Sequence, residues 1–470
     1  MKRNYLKTIL FVFFGLAVML SACKNDEIIE EDPNATSFED DGNGNITVTD
    51  KGEGTGDYTF TSDKVWILNG LVFVNEGQTL TIEAGTLIKG KPGTGENASA
   101  LIVARGGKIN AVGTATNPII FTAEADNAEG TGVDAGARGL WGGLILLGKA
   151  TTNNLTSDKA VEGIPTSELR GLYGGTDDAD NSGTLKYVSI RHGGTDIGEG
   201  NEINGLTLGA VGSGTTIDYV EIVANNDDGI EFFGGSVMVK HALVVNCKDD
   251  SYDYDEGFHG KGQFWVTIQD ADSDRGGEHD GGPSDNETGS PYATPVIYNA
   301  TYIGAVAGES KTVTLRDNAG GTYKNSIFVD FYKGLDIEYL QDNQANMVQC
   351  SYKMWEDNYL NIENNVFYNV AGQTDGGAYD AASLFKISVP KDDQDNPLYD
   401  VPQDKTDAWT TAFAGNGNSV ADPVISSTNP VPASAQSDNL AAYDTGFENV
   451  SYKGAFDNTN WAAGWTLTFK

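Results

Sequence analysis

From about residue 58 onward, apolar residues come in runs of three to five, each cut by Gly, Asn or Asp before the next begins. "LVFVNEGQTLTIEAGTLIKG" (71–90), "ALIVARGGKINAVGTATNPIIFTA" (100–123) and "GLWGGLILLGKA" (139–150) all have this form. No sustained 3.6-residue period follows residue 23. Short β-branched runs bounded by turn residues predict strands, so the chain reads as all-β. In the middle, a repeat becomes explicit. At a spacing of 22, "EIVAN" (221–225) stacks over "LVVNC" (243–247) and "WVTIQ" (265–269). That alignment puts Ile222, Val244 and Val266 in one inward column and Ala224, Asn246 and Ile268 in another. "LKYVSIRHGG" and "IDYVEIVANN" repeat one phrase at a spacing of 32, as expected of a coil carrying a loop insertion.

Repeats of this length without helical periodicity imply a solenoid. The fixed Leu and Asn positions of a leucine-rich repeat are missing. A parallel β-helix remains, with short strands on about three faces and like side chains stacked roughly 4.8 Å apart. The expected organisation is a signal peptide at 1–22, an acidic flexible tether at 23–57 and a β-helix at 58–375. The last coil exposes edge strands, so 376–470 is expected to be a loop and a C-terminal cap over them.

Charge narrows the partners. The chain carries 67 acids against 30 bases, a net charge of −37. Such a field repels nucleic acid and anionic lipid and suits divalent cations or neutral sugars. No nucleic-acid partner is expected. The two cysteines beyond the signal, Cys247 and Cys350, make no disulfide framework: they read as two separate buried thiols, with one bridge between them as the alternative.

The N-terminus has its own chemistry. Lys2, Arg3 and Lys7 precede an apolar stretch, Thr8 to Leu20, too short for a membrane span. It ends in Leu20-Ser21-Ala22-Cys23, which resembles the lipobox of bacterial lipoproteins and makes Cys23 the expected site of lipid attachment. The "KNDEIIEED" that follows resembles the surface-export signal of Bacteroidota lipoproteins. Together with "LTIEAGT", "NPIIFTA", "DDGIEFFGG" and the closing "KGAF…NWAAGW", these segments resemble a family of Bacteroidota surface lipoproteins built on a right-handed, pectate-lyase- or polygalacturonase-like β-helix. The resemblance implies a lipid anchor in the outer membrane, display at the cell surface, a polysaccharide ligand and a TonB-dependent transporter as neighbour.

The candidate chemistry is acidic. At a spacing of 22, Asp228, Asp250 and Asp272 fall one above another, with Asp227 and Asp249 beside them. Carboxylates about 4.8 Å apart repel by roughly 1 kcal/mol in water and about 3–4 kcal/mol at an effective dielectric of 20. A cation, a proton or backbone N–H groups must offset that. Turn-capping Asn and Asp ladders are the bland reading. The density of acids favours Ca²⁺, which takes six to eight oxygens. The expected ligand set is Asp228, Asp249, Asp250, Asp253, Asp255, Asp270, Asp272 and Asp274, although the EF-hand pattern fails at Arg275 and Gly281. His279 lies in the same stretch as a further metal candidate.

The alternative is a polysaccharide lyase or a polygalacturonase-like hydrolase. Asp228, Asp249, Asp250 and His259 would be its catalytic groups, with Arg275 or Arg316 as a lyase base. Trp141, Trp265 and Trp355 are candidates for sugar stacking. His192 and His241 sit on strand-like phrases and read as structural. The resulting expectation is a Ca²⁺-dependent binding or adhesion module rather than an enzyme.

Overall fold

The computed structural model describes residues 33–470 apart from 157, 199–200, 284–285, 342–348 and 375–378. The signal, Cys23 and the start of the tether lie outside these residues. The chain winds as a parallel β-helix. One face is a ten-stranded sheet whose neighbours all pair in parallel, from Leu71–Val74 to Phe385–Ser388. The other two faces come from long strands such as Thr216–Val223 and Met238–Val245, which also pair in parallel. These bend midway, at Tyr187, Tyr219, His241 and Phe264, each with φ between 45° and 61°. Left-handed backbone at successive rungs lets the strand turn a corner without a loop.

Inside lies a continuous column of Val, Ile, Leu and aromatic side chains. Burying each contributes about 1.5–3 kcal/mol. Ile222 pairs with Val244 as expected, but Val244 pairs with Thr267 rather than Val266. An extra residue before Lys261 shifts the register to 23. Val266 therefore points outward, into a second apolar cluster with Leu243 and Val223. Ala224 and Asn246 are left-handed turn residues rather than members of an inward column.

The boundaries move as well. The solenoid begins well before residue 58. Asn45–Thr49 has the alternating burial of a half-buried strand, with Ile46 and Val48 inward. Ser37–Asp40 pairs with it antiparallel and blocks the first edge. At the other end, Phe385–Ser388 and Ser419–Val420 still add parallel strands. The last coil is covered by a helix, Gln403–Gly415, whose Phe413 stacks 4.4 Å from Phe385 and whose Trp409 Nε1 donates to the Phe385 carbonyl. The final segment is not an end cap. It runs back along the flank toward earlier coils, meeting Asn364, then Asn325, Gln263 and finally Glu221. Phe456, Trp461 and Leu467 of this strap cover the outward cluster around Val266.

Cys247 and Cys350 are separate buried thiols.

Candidate acidic face

The repeat positions the acids, but not in the column that a constant spacing suggests. From Val223 to Ile230, and from Val245 to Tyr252, six residues turn the chain onto the ten-stranded sheet. The next turn, between Ile268 and Gly277, has eight. Its two additional residues, added to the one before Lys261, make the third offset 25, so Tyr252 pairs with Gly277. Asp250 therefore meets Arg275 rather than Asp272. Arg275 Nη1 lies 3.1 Å from Asp250 Oδ2. Asp272 is pushed outward, its side chain 80% exposed, and Asp270 pairs with Arg138 at 2.7 Å. Neither belongs to the stack.

The true column runs Asn204, Asp228, Asp250, Arg275. Asn204 Oδ1 accepts from the Asp228 N–H at 3.2 Å, and Asp228 Oδ1 accepts from the Asp250 N–H at 2.9 Å. Asp228 thus caps the turn of the coil beside it, as the ladder reading expects. Gly229 is fixed by the same approach. A Cβ there would sit 2.3 Å from Val244 Cγ1 and 2.7 Å from the Ser251 carbonyl oxygen, so "DDG" ends in glycine for lack of room.

A second column crosses the outer surface of the ten-stranded sheet: Thr207, Glu231, Asp253, Glu278, Thr314, Asp336 and Lys386 are register partners on successive strands. Glu231 and Asp253 are 22 apart in the sequence, and period-two alternation puts Glu231 outward from "GIEFF". That spacing and alternation are the sequence signal of this column, fainter than the Asp-Asp turns because each of its acids stands singly between non-acidic neighbours. Three groups of carboxylates result, each with oxygens within 4.8 Å of one another: Asp227, Asp228 and Asp249; Asp228, Glu231 and Asp253; Asp249, Asp250 and Asp274. The third is already neutralised, since Arg275 reaches Asp250, Asp274 and Glu278, and Lys311 reaches Asp274. The first two share Asp228 and make no ion pair among the described residues.

Burial amplifies their repulsion. Asp228 and Glu231 are each 6% exposed and Asp250 is 1% exposed. Burial, then neighbouring carboxylates, push the Asp228, Glu231 and Asp253 carboxyls far above the usual range. Burial also raises Asp227 and brings Asp255 to about 7. Asp250 rises too, the Arg275 charge only partly opposing its burial. Asp250 Oδ1 and Asp253 Oδ1 are buried and accept no hydrogen bond.

An inserted loop between the strands Leu144–Leu147 and Gly183–Arg191 walls one side. Its Val161, Ile164 and Tyr173 pack on an outer apolar patch with Phe233 and Ile145. Buried Glu256 pins it, accepting from Lys159 Nζ, Asn154 Nδ2 and Tyr173 Oη. Loop and sheet enclose a cleft of about 440 Å³ lined by Glu231, Asp253, Asp255, Glu278, Asp280 and Arg316 among others.

The remaining candidates lie elsewhere. His259 pairs with Asp178 at 3.4 Å and the Gly257 carbonyl at 2.8 Å, rather than with the acidic column. His279 points into the core, stacks on Tyr254 and meets Tyr323 Oη at 2.7 Å; burial lowers its pKa to about 3 and keeps it neutral. It faces no acidic group of the surface. Trp141 and Trp265 are fully buried and offer a sugar no face, while Trp355 is half-buried and packs edge-on against Trp409. His192 is buried, and His241 stacks between Tyr219 and Phe264 under the strap, both structural as expected. Arg316 is committed to Asp280 and Glu278.

The model of the family described as "Pectate-lyase like beta helix domain" matches residues 52–466. No curated protein matches the chain. Among solved structures, the Dettilon tailspike protein (gp208) is similar at 10% identity with a TM-score of 0.22, over 71% of this chain and 62% of the tailspike. The chain thus spans less than two thirds of the tailspike's length.

Proposed function

Because the chain belongs to the pectate-lyase-like β-helix domain family, we propose a carbohydrate-related role for it, as a Ca²⁺-dependent glycan-binding module. The observation that carries the metal is the pair of carboxylate groups sharing Asp228 with no cationic partner. Oxygens up to 4.8 Å apart suit a common ion, because Ca²⁺–oxygen distances of about 2.4 Å double to that span. The donors are all hard oxygens, and Asp253 Oδ1 is buried with no hydrogen-bond partner, an acceptor that a cation would satisfy. Asp228, Glu231 and Asp253 would hold the ion, with Asp227 and Asp249 beside Asp228 in the adjoining group; the cation offsets two of these negative charges and offers open positions to sugar hydroxyls. Asp255, from the sequence-based set, stands in the cleft as a neighbour, while Asp250 and Asp274 are held by Arg275.

Binding is favoured over catalysis by the state of the basic groups. A lyase needs a base beside the metal, yet Arg275 touches three carboxylates and is only 16% exposed. The setting that fits is an outer-membrane lipoprotein, anchored through Cys23, displayed at the surface and capturing glycan beside a TonB-dependent transporter. The lipobox and acidic N-terminal motif support the anchor and display, and the repeat and C-terminal phrases support the glycan and transporter. Calorimetric titration of Ca²⁺ into the wild type, Asp253→Asn and Glu231→Gln tests the metal. Saturable binding that each substitution weakens at least tenfold is expected; equal binding by all three would remove the site. Polysaccharide panels should be bound but remain uncut. Turnover lost in Asp250→Asn would replace the binding module with the enzyme.

A further inference from the structure

Beyond Thr314, the outer column of the ten-stranded sheet changes character. Asp336 and Lys386 are register partners on its last two strands, yet neither makes an ion pair among the described residues. Asp336 Oδ1 is buried and accepts no hydrogen bond. Lys333, on the same strand as Asp336, is exposed and also has no carboxylate partner among the described residues. All three line one groove of about 600 Å³, a size suited to one or two sugar rings. Tyr332 stands at its rim, 48% exposed, and Asn369 lies opposite, held by Asp330 at 2.6 Å.

In a chain where acids outnumber bases 67 to 30, two lysines left facing one groove are a local reversal of charge. The groups are also complementary in kind. An ammonium only donates hydrogen bonds, and an ionised carboxylate only accepts them. A ligand that satisfies both must carry an anion and a hydroxyl, and the exposed Tyr332 ring adds an apolar face for stacking. Lysines act as point charges, whereas flat carboxylates are gripped best by the arginine fork, which is missing among the described residues of this groove. The three terminal oxygens of a sulfate ester share one negative charge around a tetrahedral centre and offer each ammonium an acceptor of its own.

We propose that this groove binds a sulfated sugar residue of a glycan chain, its sulfate ester held by Lys333 and Lys386, a hydroxyl by Asp336, and its ring by Tyr332. The inference rests on the glycan reading of the protein and not on the metal.

The test is calorimetry in chelator with galactose 6-sulfate, galactose, galacturonate and inorganic sulfate as separate probes. The wild type, Lys333→Gln, Lys386→Gln, Tyr332→Ala and Asp253→Asn are compared, each checked for wild-type circular dichroism. Galactose 6-sulfate should bind at least tenfold tighter than the other three. Lys386→Gln and Tyr332→Ala should each weaken it several-fold, with Asp253→Asn unchanged. Galacturonate binding as tightly as the sulfate ester would overturn the assignment to sulfate, and inorganic sulfate alone matching it would overturn the sugar. Loss confined to Asp253→Asn would move the ligand to the acidic cleft, ending the groove but sparing the glycan reading. If no sugar binds, and a panel of longer sulfated, uronic and neutral glycans also fails with Ca²⁺ present, both readings fall.

Discussion

Asp228 does two things that a substitution can separate. Its Oδ1 takes the Asp250 N–H, and its charge adds to two acidic groups. In chelator, Asp228→Asn keeps an acceptor and removes the charge, so urea denaturation should show stability equal to or above that of the wild type. Asp228→Leu removes the acceptor as well and leaves a buried N–H unpaired, which costs about 1–3 kcal/mol. Equal loss in both variants would mean that the charge, not the cap, matters. The sequence exposed this residue through its spacing from Asp250. It hid Asp272's absence from the column, because three extra residues in one coil cannot be read from apolar runs that tolerate a slip. It hid the roles of His259 and His279 for a related reason: whether a residue faces inward depends on where each coil bends. The bends fall at left-handed Tyr, His and Phe residues that carry no turn signature.

Among the elements, the returning strap was the least legible. Residues 421–470 contain almost no regular structure, and their partners lie far back in the chain. Glu221 is the clearest anchor. It is fully buried and accepts from Leu467 N, Thr468 N, Thr468 Oγ1 and Ser189 Oγ at 2.6–3.0 Å. In the sequence it looked like one more polar residue on a strand. Glu221→Ala should cost about 2–4 kcal/mol by leaving several donors unpaired. Limited proteolysis should then cut within 459–470 while the coils stay intact. A variant as resistant as the wild type would show that the apolar contacts of Phe456 and Trp461 hold the strap alone. The inserted loop offers a parallel case. Glu256→Gln weakens its ion pair with Lys159, so hydrogen exchange should speed up over 154–175 and not in the strands beneath; uniform exchange throughout would argue that the loop is held by Val161 and Ile164 instead.

At the scale of the whole molecule, the β-helix was readable because every coil repeats the same short apolar phrase, and parallel stacking turns repetition in sequence into neighbours in space. Its ends were not, since edge protection uses a single antiparallel strand and one helix rather than a repeat. The same stacking concentrates charge. Asp227, Asp228, Glu231, Asp253 and Asp255 all have carboxyls raised from ordinary values of 3.8 or 4.5, with Asp255 at about 7. A raised carboxyl binds more protons in the folded state than in the unfolded one. Its contribution to stability is therefore complete below the unfolded value and is lost as pH rises through the folded value. Metal-free protein should become less stable between pH 5 and 8, and a divalent ion should restore most stability at the alkaline end. The most direct measurement is the melting temperature in chelator and in millimolar Ca²⁺ at pH 5 and pH 8. A melting point that falls with pH in chelator, and a Ca²⁺ increment that is larger at pH 8 and abolished in Asp253→Asn, is the predicted result. A melting point indifferent to Ca²⁺ at both pH values would contradict it.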